Sequence, residues 1–169
     1  NGYDTLYGGI GNDTLSGDGE GSDTGQVSLY NVGNGVGGMC FLGEDNSLPV
    51  MGSAGDVNGD GLGDLLVGAP SADPNGSYSG SSYVLFGRST GFAATLALSS
   101  LNGSNGFRLD GVTANDISGF SVSAAGDLTG DGLDDLIVGA PFADPNGSYS
   151  GSSYAVFGRD RLFKNGFES

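Results

Sequence analysis

Apolar residues in this chain come in short bursts separated by glycine and small polar residues, and the bursts recur. Leu65-Leu66-Val67 runs into Gly68-Ala69-Pro70, and Leu136-Ile137-Val138 runs into Gly139-Ala140-Pro141. A brief continuous apolar run closed in this way predicts a buried strand that stops at the proline. Ser82 to Phe86 alternates and predicts a half-buried strand; a short strand ends at Gly55, and Gly106 to Leu109 supplies another. Four strands in sequence make one antiparallel meander, the shape of a propeller blade. Phe120 to Phe157 repeats the first three of them, and Arg161 to Phe163 is what remains to offer a fourth. Earlier in the chain, Val27, Leu29 and Val32 hint at a strand that Gly33 to Gly38 breaks, and Met39 to Leu42 suggests one more. Residues 26–49 are therefore a connection able to add an outer strand to the first unit.

The repeat is close to literal. Ser53 to Arg88 returns as Ala124 to Arg159, and Asp73 to Tyr83 returns unchanged as Asp144 to Tyr154. Where the copies differ they keep character: Val57 becomes Leu128, Leu66 becomes Ile137, Leu85 becomes Val156. Sequences this alike share a fold, so the repeat unit is fixed before its arrangement is known.

Each copy leads into its buried strand through an acidic loop, Asp56 to Asp64 and, 71 residues on, Asp127 to Asp135. Oxygen-bearing side chains stand at loop positions 1, 3, 5 and 9 with glycine at position 6, the donor pattern of a hard cation that takes about 6 to 8 oxygens. In the first loop the expected calcium donors are Asp56, Asn58, Asp60, the Leu62 carbonyl and Asp64. In the second they are Asp127, Thr129, Asp131, the Leu133 carbonyl and Asp135. Thr129 replaces an amide carbonyl with a hydroxyl, so the second site is expected to bind more weakly unless Asp134 compensates as an added charge. A helix-loop-helix calcium site is excluded: position 12 is Val67 or Val138 instead of a bidentate glutamate, and Gly-Ala-Pro forbids an exiting helix. Three carboxylates within nine residues repel one another without a cation, so calcium is expected to be part of folding.

The first 25 residues carry a different pattern. Gly8-Gly-Ile-Gly-Asn-Asp-Thr-Leu-Ser16 fits the calcium-binding nonapeptide Gly-Gly-x-Gly-x-Asp-x-Leu-x, and Asp4 lies nine residues before Asp13. Asp23 lies ten after Asp13, and Gly25 stands where an inward leucine belongs, so the array is ending. This segment resembles the RTX repeats of secreted bacterial proteins, which implies a short parallel β-roll with calcium held through Asp4, Gly9, Gly11, Asp13 and Asp23. A flexible Gly/Asp linker is the alternative.

Gly119-Phe120-Ser121-Val122-Ser123, Gly126-Asp127, the acidic loop and Gly139-Ala140-Pro141 together resemble an FG-GAP repeat, the blade unit of the integrin α-subunit propeller and of many bacterial surface proteins. The resemblance covers roughly Val50 to Arg159 and implies adhesion or ligand binding outside the cell. The first copy departs at its start, where Leu48 and Pro49 take the places of Gly119 and Phe120.

Composition narrows the function classes. Glycine at 35 of 169 residues fits many tight turns, and a net charge of −15 disfavours nucleic acid by phosphate repulsion. With no histidine there is no Ser-His-Asp or Cys-His pair, and the glycine-rich stretches lack the Lys-Ser/Thr of a phosphate-binding loop. A two-carboxylate glycosidase remains formally open, although most aspartates are committed to loops. Cys40 is the single cysteine, so no disulfide closes within the chain, and there is no apolar run of about 18 residues to span a bilayer. Tyr78, Tyr83, Tyr149 and Tyr154 read as blade packing or as a binding face. Asn75-Gly-Ser and Asn146-Gly-Ser read as turns or as glycosylation acceptors.

The expected fold is all-β: two four-stranded antiparallel propeller-type blades, an incomplete propeller, after a short parallel β-roll. The expected division is 1–25 calcium-binding repeats, 26–49 connection, 50–118 first repeat, 119–160 truncated second repeat and 161–169 tail. The expected function is a non-enzymatic, calcium-binding adhesion or ligand-binding module of a secreted bacterial protein, with an extracellular protein or glycan as partner. The alternative is an accessory region of a secreted hydrolase whose catalytic domain lies upstream. Two blades fall short of the 4 to 8 or so that close a propeller, so further blades or self-association are expected.

Overall fold

The computed structural model describes residues 38–43 and 49–158. The nonapeptide segment with Asp4, Gly9, Gly11, Asp13 and Asp23, the strand hinted at by Val27 to Val32, and the strand offered by Arg161 to Phe163 lie outside the described residues. Those described are all-β, with one 3-10 turn at Leu98–Ser100 and no α-helix. The strands are β1 (Cys40–Leu42), β2 (Val50–Gly55), β3 (Asp64–Ala69), β4 (Ser81–Leu85), β5 (Thr95–Ala97), β6 (Gly106–Asp110), β7 (Ser121–Gly126), β8 (Asp135–Ala140) and β9 (Ser152–Val156).

The first blade is the antiparallel meander β2-β3-β4-β6, and the second is β7-β8-β9. Their registers coincide: Val50 faces Gly68 and Gly55 faces Asp64, as Ser121 faces Gly139 and Gly126 faces Asp135. Each opening strand carries its irregularity at the same place, between Ser53 and Gly55 and between Ala124 and Gly126. The departure at Leu48 and Pro49 thus leaves β2 intact. Of the strands expected in the connection, the one within the described residues, β1, pairs with β5 in a two-stranded sheet.

The core lies between the blades. Ala54, Val57, Leu66, Val84, Phe86 and Phe107 of the first meet Leu136 of the second, with Val122 and Val156 packed around them. Phe86 and Phe107 meet edge to face at 6.0 Å between ring centroids. Fully burying one such side chain contributes about 1.5–3 kcal/mol, so this interface is a main source of the pair's stability. The approach is close enough that backbone replaces side chain: a Cβ on Gly68 would lie 2.1 Å from the Gly119 carbonyl oxygen. The whole of β4 is buried, so the alternation read from its sequence does not correspond to one solvent face.

Candidate metal centre

Both acidic loops fold around their first aspartate. β2 ends at Gly55, and the chain then bends so that successive N–H groups converge on the Asp56 carboxylate. Gly59 N–H donates to Oδ1 at 2.8 Å, Asp60 N–H to the same oxygen at 3.1 Å, and Gly61 N–H to Oδ2 at 2.9 Å. Gly61 sits at φ +80 with open space where a Cβ would be, so glycine is required there by backbone conformation and not by crowding. Asn58 Oδ1 accepts the Asp60 N–H at 3.0 Å, and Asn58 Nδ2 donates to Asp60 Oδ2 at 3.0 Å. Asp60 Oδ1 in turn accepts the Leu62 N–H at 2.9 Å. Concave sets of backbone N–H groups of this kind hold a carboxylate in place.

The second loop repeats the arrangement. Asp127 Oδ1 accepts from Gly130 at 2.6 Å and Asp131 at 3.1 Å, Oδ2 accepts from Gly132 at 2.8 Å, and Asp131 Oδ1 accepts the Leu133 N–H at 3.0 Å. The Gly132 N–H is the chief reason the exposed Asp127 carboxyl is held below its ordinary value of 3.8.

The closing aspartates have a second occupation. Asp64 is buried and accepts the Val57 N–H at 3.0 Å on Oδ2 and the Gly87 N–H at 2.8 Å on Oδ1, tying the loop start to the end of β4. Asp135 does the same with Leu128 at 2.6 Å and Gly158 at 2.8 Å. Burial pushes the Asp64 carboxyl above its ordinary 3.8, the Gly87 and Val57 N–H groups oppose this, and the charges of Asp60 and Asp56 add to the rise. Mutual repulsion within the loop is therefore visible in its own electrostatics.

The donor set is all oxygen, the chemistry that a hard divalent cation selects. In each loop the structure brings together the first, third and fifth positions or their backbone. The ninth position faces the blade. Among the described residues no three acidic side chains are gathered as a cation cluster.

One participant was not legible as such. Asp134, read from sequence as added charge for its own loop, is placed on the other one: the Asp56 N–H donates to Asp134 Oδ2 at 2.8 Å, and the Asp134 N–H donates to the Asp56 carbonyl at 3.0 Å. The available signal was that Asp134 stands where the first loop has Gly63. The tyrosines divide. Tyr83 is buried, while Tyr78 and Tyr149 are exposed at φ 55 and 57, their N–H groups held by Asp73 and Asp144. Tyr149 and Phe142 stack edge to face beside an open groove of about 850 Å³ that Thr113 and Asp116 also line.

The family model described as FG-GAP repeat matches residues 52–85 and 118–156, one match on each blade and each containing one acidic loop. Each blade is thus similar to an FG-GAP repeat. Among relatives, phosphatidylinositol-glycan-specific phospholipase D of Bos taurus is 36% identical over 109 residues, 59% of this chain. Integrin alpha-M of Mus musculus is 39% identical over 89 residues, 51% of this chain. The matched stretches span 12% and 7% of those two proteins. Among the described residues no helix is long and apolar enough to cross a membrane.

Proposed function

We propose that this chain is a calcium-binding, non-enzymatic repeat module that works outside the cell and binds a protein or glycan partner. The observation that carries the reading is the recurrence at Asp56 and at Asp127 of one carboxylate cradle, in which the N–H groups of loop positions 4, 5 and 6 donate to the first aspartate. Calcium would be held by Asp56, Asn58, Asp60, the Leu62 carbonyl and Asp64, and by Asp127, Thr129, Asp131, the Leu133 carbonyl and Asp135. Its charge offsets the repulsion that Asp56 and Asp60 exert on Asp64. Residues 1–25 would add RTX-type sites through Asp4, Gly9, Gly11, Asp13 and Asp23, as in a protein secreted by a bacterium and folded by external calcium. Residues 26–49 join them to the repeats at 50–118 and 119–160. The exposed Tyr78 and Tyr149 and the groove beside Tyr149 give a partner an aromatic, polar surface. Circular dichroism with calcium and with chelator tests the folding role; identical spectra would sink it.

The likeness to a phospholipase D favours a second reading, an accessory calcium-binding region attached to a secreted hydrolase. A nucleophile motif in the adjoining open reading frame decides for it, and a further run of FG-GAP repeats there decides against it.

A further inference from the structure

The second acidic loop reaches across to the start of the first. Asp134 Oδ2 accepts the Asp56 N–H at 2.8 Å, and the Asp134 N–H donates to the Asp56 carbonyl at 3.0 Å, so both backbone groups of the first donor residue are held from the neighbouring blade. The same side chain takes up the space at Gly55, where the place of a Cβ lies 2.6 Å from Asp134 Cβ. One residue earlier, Leu133 covers Gly59, φ +73: the place of a Cβ there is 2.8 Å from Leu133 Cδ2. Gly59 in turn gives its N–H to Asp56 Oδ1. Asp135, next in the chain, turns its carboxylate to Leu128 and Gly158 of its own blade. Two consecutive aspartates therefore serve different loops.

We propose that Asp134 is a positioning residue for the cation site of the first loop, acting through the backbone of Asp56 and not as a ligand in its own loop. This role rests on calcium binding by the two loops. A hard cation gathers about 6 to 8 oxygens from a short flexible segment, and each donor that must be ordered on binding weakens the site. Asp56 is ordered beforehand, because its N–H and its carbonyl are both engaged by Asp134. The affinity of one loop is thereby set by a residue of the next. Linkage makes the effect reciprocal: filling the first loop holds Asp134 in place, so hydrogen exchange at the Asp134 N–H should slow when calcium binds there.

Calcium titration of the chelator-stripped, isotope-labelled full chain tests this by NMR at the Gly61 and Gly132 N–H groups. These two glycines hold the same loop position and donate to Asp56 Oδ2 and Asp127 Oδ2, so each reads its own loop. Asp134→Ala is expected to weaken the Gly61 transition by roughly fivefold or more and the Gly132 transition by less than about twofold. Asp134→Asn keeps an acceptor for the Asp56 N–H and is expected to restore most of the loss; a retained Gly132 transition shows that both variants fold. Loss at Gly132 in place of Gly61 would make Asp134 a residue of its own loop and overturns the positioning role. Asp134→Asn as weak as Asp134→Ala overturns it too, since charge alone would then be the cause. If calcium moves both glycines in the parent and Asp134→Ala changes neither transition, the positioning role fails while calcium binding stands. If calcium moves neither glycine in the parent, both fail.

Discussion

Asp134 and Asp56 hold each other reciprocally across the two blades, each giving its backbone N–H to an oxygen of the other at 3.0 and 2.8 Å. The first residue of one acidic loop is thus fixed by the eighth residue of the next. Any event that reorganises either loop is felt at the interface between blades.

Removing the carboxylate measures this link. A hydrogen bond to a charged acceptor contributes about 1.5–3 kcal/mol and less where water competes, so Asp134→Ala is expected to cost about 1–2 kcal/mol in urea unfolding. Asp134→Asn, which keeps an acceptor, should cost less. Two variants as stable as the parent would contradict the link.

Gly55 and Gly126 provide a matched pair. Both have positive φ, at 75 and 69, but only Gly55 faces Asp134. Gly126→Ala is expected to cost about 1 kcal/mol from backbone strain alone, and Gly55→Ala distinctly more. In an Asp134→Gly background, which also removes the Asp134 Cβ that lies 2.6 Å from the place of a Cβ on Gly55, the two costs should converge, and a double-mutant cycle showing no coupling would refute the contact.

Asp64 gives stability a pH dependence opposite to that of a carboxylate in an ion pair. Burial, above all, raises its folded-state pKa above the ordinary 3.8, so the folded chain holds the proton longer than the unfolded one. Its contribution is then present at low pH and lost as pH rises from the unfolded value through the folded one. Asp127 runs the other way: its pKa is lowered, chiefly by the Gly132 N–H, so its contribution is present above 3.8 and lost as pH falls through the folded value. In chelator, Asp64→Asn should remove the decline just above pH 3.8 while leaving the Asp127 limb below it. Unchanged slopes would contradict this assignment.

The loops differ at their third position, and their cation affinities should follow. Thr129 offers a hydroxyl where Asn58 offers an amide carbonyl, so Thr129→Asn is expected to tighten calcium binding at the second loop severalfold by titration calorimetry. Unchanged affinity would count against Thr129 as a ligand.

Strand positions were largely legible in the sequence, because short apolar runs closed by Gly-Ala-Pro and the literal repeat leave little freedom; β3 and β8 fall where those runs stand. Burial was not. Tyr83 and Tyr154 occupy identical local sequences, yet Tyr83 is buried and Tyr154 is 40% exposed, since burial depends on which neighbouring element covers the sheet. β5 escaped notice because a three-residue strand has no period to read, and its partner β1 lies more than 50 residues away. The tie between Asp134 and Asp56 spans 78 residues and exists only once the blades stack. The carboxylates of the loops were legible as a donor set, but the second task of Asp64, holding the Gly87 N–H, required the third strand to be in place.

Calcium titration into the chelator-stripped chain, read by calorimetry, bears most directly on the central claim. Binding is expected in the weak extracellular range, with Kd of about 10⁻⁴–10⁻³ M, and part of the heat should disappear in the double variant Asp56→Asn, Asp127→Asn. The remainder should belong to residues 1–25 and vanish with Asp13→Asn. Heat that is absent in the parent, or unchanged in the double variant, would contradict a calcium role for the two loops.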